Sequence, residues 1–110
     1  MSEVQIVNRG FILVRPKGAF TQWANKFEEE FALPEDFHGE PSVYLIEEDF
    51  TETETLLKAN FKAIMTNELF AVTENDDEFP EIKLDVFQDW FDVEFGGSVY
   101  DNLDQNLIKE

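Results

Sequence analysis

The chain has 110 residues and a formal charge of −17, with 25 acids against eight Lys and Arg, one His and no Cys. The lack of cysteine excludes a disulfide framework and thiolate chemistry, and so acidic a surface repels nucleic acid and anionic membranes. Twelve Phe, two Trp and two Tyr supply core material, which excludes a disordered acidic tail.

The charge is unevenly placed. Residues 1–26 sum to +3, from Arg9, Arg15, Lys17 and Lys26 against Glu3, and residues 27–110 sum to −20. A partner selected by charge is therefore basic, or a divalent cation; solubility alone is the plainer reading. The length implies one domain, 1–110, with ends at 1–7 and 104–110 that fray. No basic and apolar leader opens the chain and no run approaches the ~18–20 apolar residues of a membrane span. The expected compartment is the cytoplasm.

Taken in order, residues 1–8 are weak strand material. Arg9 to Pro16 holds four consecutive apolar residues and predicts a central strand, buried on both faces or nearly so and ended by Pro16. Ala19 to Phe31 is the clearest helix, with Phe20, Trp23, Ala24, Phe27 and Phe31 in one stripe and Leu33-Pro34 as its stop. A loop carrying His38 leads to a second strand over Ser42 to Glu47.

Thr51 and Glu54 have capping-box spacing ahead of a second helix that runs to about Asn67. Along it Leu57, Phe61, Ile64, Met65 and Glu68-Leu69 recur at helical spacing. Leu69 to Thr73 reads either as a last turn or as a short strand. Glu74 to Phe79 is an acidic loop.

The densest aromatic segment follows, over Leu84 to Tyr100. Leu84, Phe87 and Phe91 mark one flank of a helix, and Asp85, Asp89 and Asp92 the other. From Val93 the period changes to two, predicting a strand in which Gly96-Gly97 marks a bulge or a close backbone approach. Leu103, Leu107 and Ile108 either dock as one helical turn or fray. The resulting order, β-α-β-α-(β)-α-β, predicts an α/β chain of the α+β type. Its architecture is a two-layer sandwich, a small three- to four-stranded mixed sheet packed against about three helices. If the first two strands are parallel neighbours, their crossover is right-handed.

Catalytic signals are weak. One His, no Cys and no Gly-x-Ser-x-Gly elbow leave nucleophilic catalysis without its parts, so no catalytic residue is assigned. Among 25 acids, close carboxylate pairs are inevitable and discriminate nothing. The acidic loop lacks the alternating acids, central Gly and terminal Glu of a calcium-binding hand, and no metal or cofactor is implied.

Two surfaces remain as candidates. Asp85, Asp89 and Asp92, with Asp76 and Asp77, form a carboxylate surface for a basic partner. Arg9, Arg15 and Lys17, with His38, form an alternative site for an anionic ligand. Regularly spaced carboxylates also raise a third reading, a nucleic-acid mimic that inhibits a DNA-binding protein. The surplus of aromatics points to a protein-binding patch or a homodimer face.

Arg15-Pro-Lys-Gly-Ala-Phe-Thr-Gln-Trp23 and Phe87-Gln-Asp-Trp-Phe-Asp-Val-Glu-Phe95, with the Val43-Tyr-Leu-Ile46 strand between them, resemble a family of small, acidic, uncharacterised bacterial proteins. The resemblance spans most of residues 8–103. It implies a compact domain and carries no activity or cofactor. The leading expectation is a non-catalytic acidic interaction or regulatory module. Its partner is another protein, a basic one if charge selects it, or a second copy of the chain; direct binding to nucleic acid or membrane is not expected.

Overall fold

The computed structural model describes residues 4–27 and 40–110. The expected end of the first helix, with Phe31 and Leu33-Pro34, and the loop with His38 lie outside the described residues.

The fold is an α+β arrangement of three helices and two small antiparallel sheets. The apolar run Phe11 to Val14 becomes the central strand β2 (Gly10–Pro16), flanked by β3 (Ser42–Ile46) and β4 (Phe91–Gly96) in the order β3-β2-β4. Both pairings are antiparallel, with Leu13 opposite Val43 on one side and Glu94 on the other. This corrects the expected mixed sheet. The connection from Pro16 to Ser42 is long enough to return the chain in either direction, so periodicity carried no information on strand sense, and the crossover rule has no parallel pair to act on.

A second, two-stranded sheet pairs β1 (Gln5–Val7) with β5 (Val99–Asp101). It continues the β2–β4 ribbon through a bulge. Asn8, Arg9 and Gly10 on one side stand opposite Gly97 and Ser98 on the other, one extra residue that re-aims the ribbon. The extra residue is absorbed by a tight turn in which the Arg9 N–H donates to the Val7 carbonyl at 2.8 Å.

Gly96 shows the expected close approach. A Cβ on it would lie 2.1 Å from Cε1 of Phe11, whose ring covers the glycine.

The inner face of the sheet carries Ile12 and Val14, both fully buried. Against it pack α1 (Gly18–Asn25), α2 (Thr53–Phe70) and α3 (Leu84–Trp90). The α2 stripe of Leu57, Phe61, Ile64, Met65 and Leu69 is buried as its spacing requires, and Phe87 of α3 and Phe91 at the start of β4 close the core. Phe87 stacks between Phe61 and Phe91, with ring centres at 6.1 and 5.2 Å.

Two local expectations are corrected, and the open reading of residues 69–73 is decided for a last turn. Helix α2 begins at Thr53 with Glu52 as its cap, so no Thr51–Glu54 box forms; the Glu52 carboxylate instead accepts from Thr55 Oγ1 at 3.1 Å. Helix α2 reaches Phe70 and then turns, Thr73 N–H donating to the Leu69 carbonyl at 3.1 Å, so residues 69–73 hold no strand. Helix α3 stops at Trp90, which places Asp92 on β4 and divides the three-Asp flank. At the tail Leu103, Leu107 and Ile108 are exposed and lie outside any helix.

The short α3 ends without a glycine. Its last carbonyls are satisfied by one residue across the fold: the Lys17 N–H donates to the Trp90 carbonyl at 2.8 Å and the Lys17 ammonium to the Gln88 carbonyl at 2.9 Å. A cation at the negative end of a helix dipole is favourable. It allows the chain to switch from helix to strand in one residue.

Candidate functional site

The backbone of the acidic loop is held by an aromatic cluster. Trp23 of α1 is the hub. Its ring centre lies 5.9 Å from Phe20, 5.8 Å from Trp90 and 6.3 Å from Phe79. Phe79 in turn meets Phe70 edge-on at 5.1 Å. The Trp23 indole N–H donates to the Glu78 carbonyl at 3.0 Å. Burying an indole requires a partner for that N–H, and here the partner is the backbone of the acidic loop itself.

The loop is shaped by its own side chains. Thr73 Oγ1 accepts from the Asn75 N–H and Asn75 Oδ1 accepts from the Asp77 N–H, both at 3.2 Å, which starts a 3₁₀ turn over Asp76–Glu78. The side chains of Asp76, Asp77 and Glu78 are exposed. Asp85 and Asp89, four residues apart on α3, are exposed too. Trp90, the residue after Asp89, touches Trp23, so the same cluster that holds the acidic turn holds the end of α3.

Asp92 lies elsewhere. It stands opposite Arg15 on the open face of the sheet, with its carboxylate 3.6 Å from the Lys17 ammonium. Of the alternative group, Arg9 and Arg15 sit at opposite ends of β2, separated by about 20 Å of extended chain. The Arg9 guanidinium donates to the Asn8 carbonyl at 2.7 Å. Lys17 is engaged as the cap of α3, and His38 lies outside the described residues.

Two features escaped the sequence reading. One is a cleft of about 250 Å³ at the start of α2, where Glu47, Asp49 and Glu52 surround Thr51, Phe50 and Leu56. Nothing in the spacing of these residues marked it, because it forms only when the end of β3 meets α2. The other is a polar cluster at the edge of the core, around one buried acid. Glu68 is buried and accepts hydrogen bonds from the Tyr44 hydroxyl and, at 3.3 Å, from Ser42 Oγ. The Tyr44 oxygen accepts from Asn67 Nδ2 at 3.0 Å. Burial, and then the hydrogen bond to Glu68, push the Tyr44 hydroxyl well above its ordinary value. The signal was present: Glu68 occupies a core position in the α2 stripe.

Among the described residues no group of three or more His, Asp or Glu side chains is arranged to hold a metal ion, and no helix is long and apolar enough to cross a membrane. No protein-family model matches the chain, and no curated protein or solved structure is significantly similar to it.

Proposed function

We propose that the protein is a non-catalytic acidic interaction module. It binds a basic segment of another protein through the carboxylate edge formed by Asp76, Asp77, Asp85 and Asp89. The observation that carries this reading is the Trp23 indole bond to the Glu78 carbonyl, within a ring cluster that also reaches Trp90 at the end of α3. It fixes the acidic turn to the rigid core instead of leaving it as a loose solvated loop. Carboxylates carried on a fixed backbone lose less freedom on binding than those on a loose loop. Their summed field accelerates encounter with a cationic partner. Asp92, already paired with Lys17, is left out of this surface. The separation of Arg9 from Arg15 and the use of Lys17 as a helix cap weigh against an anion site on the basic group.

The test is affinity capture from native cell extract at low and high salt, with wild type and with Asp76, Asp77, Asp85 and Asp89 all changed to Asn. The expected result is a basic protein retained at low salt, released at high salt and lost with the quadruple variant. Retention of nothing at either salt, or of a partner indifferent to the variant, overturns the proposal.

A further inference from the structure

We draw no further inference here: the strongest candidate, the cleft of about 250 Å³ between the end of β3 and the start of α2, lined by Glu47, Asp49 and Glu52, rests on a cluster of acidic residues at a helix N-terminus, and nothing else in the structure points to a ligand for it.

Discussion

Replacing Tyr44 by Phe removes one oxygen from the interior and leaves Glu68 in place. In the native chain Glu68 is 9% exposed and its carboxylate is held by two hydroxyls, those of Tyr44 and Ser42. The Ser42 contact at 3.3 Å is long for a hydroxyl donor, so Tyr44 supplies most of the stabilisation. A hydrogen bond to a charged group contributes about 1.5–3 kcal/mol, and a buried acceptor that loses its donor is penalised by its full desolvation. Tyr44→Phe is therefore expected to cost about 2 kcal/mol, measured by urea unfolding followed through Trp23 and Trp90. In a Glu68→Leu background the same substitution should cost under about 0.5 kcal/mol, because no charge remains to be satisfied. The sign of the pH effect follows from the same contact. The Tyr44 hydroxyl ionises above its ordinary value of 10.0 in the folded state, so the unfolded chain releases that proton first. The stability it contributes is complete below that value and declines as pH rises past it, and the decline is absent in Tyr44→Phe. A cost in the wild-type background below about 0.5 kcal/mol, or an equal cost in both backgrounds, refutes the reading that Tyr44 satisfies the buried Glu68 carboxylate.

Two further predictions follow from contacts that cannot relax easily. Gly10→Ala places a Cβ 3.0 Å from both the Glu47 and the Gly96 carbonyl oxygens, which are backbone, and 2.9 Å from the Phe50 ring. It should cost about 1–3 kcal/mol by thermal or urea unfolding, whereas a substitution at Gly97, with open space around it, should cost less than about 1 kcal/mol. Trp23→Phe keeps ring packing but deletes the donor to Glu78. It is expected to lower stability by about 1–2 kcal/mol and to raise amide exchange over residues 74–79 above that in α2; unchanged exchange there would show that the turn does not depend on the indole.

The sequence disclosed what periodicity encodes. The central place of β2 followed from four consecutive apolar residues, and the core role of Phe61, Phe87 and Phe91 from helical spacing. The approach at Gly96 followed from a glycine standing in a strand pattern. What depends on contacts between distant segments was hidden. Strand direction across the 25-residue connection between Pro16 and Ser42 left no mark on the apolar pattern. The cap of α3 sits on Lys17, 71 residues from its acceptor Gln88, so the local signals predicted a longer helix and kept Asp92 on it. The carboxylates of the acidic turn were legible as a charge run; the indole that anchors the turn's backbone comes from 55 residues away.

The placement of the basic segment explains how so acidic a chain closes. Residues 1–26, the +3 part, do not form a tail or an isolated patch. Residues 10–25 of this part become the central strand and the first helix, with the flanking strands and α3 built against them. β2 separates β3 from β4, and α1 meets the end of α3 through Trp23 and Trp90. Lys17 sits where α3 turns into β4, touching the carbonyl dipoles of one and Asp92 of the other. Partly exposed ion pairs contribute little each. Their value here lies in position, because they remove repulsion at the contacts where acid-rich segments must approach. Other carboxylates lie outward, on the 3₁₀ turn, the exposed flank of α3 and the start of α2, while Glu68 alone among the described acids is buried. The same arrangement that allows folding thus leaves the acids of the turn and of α3 exposed, and Val43 and Leu45 exposed on the sheet face.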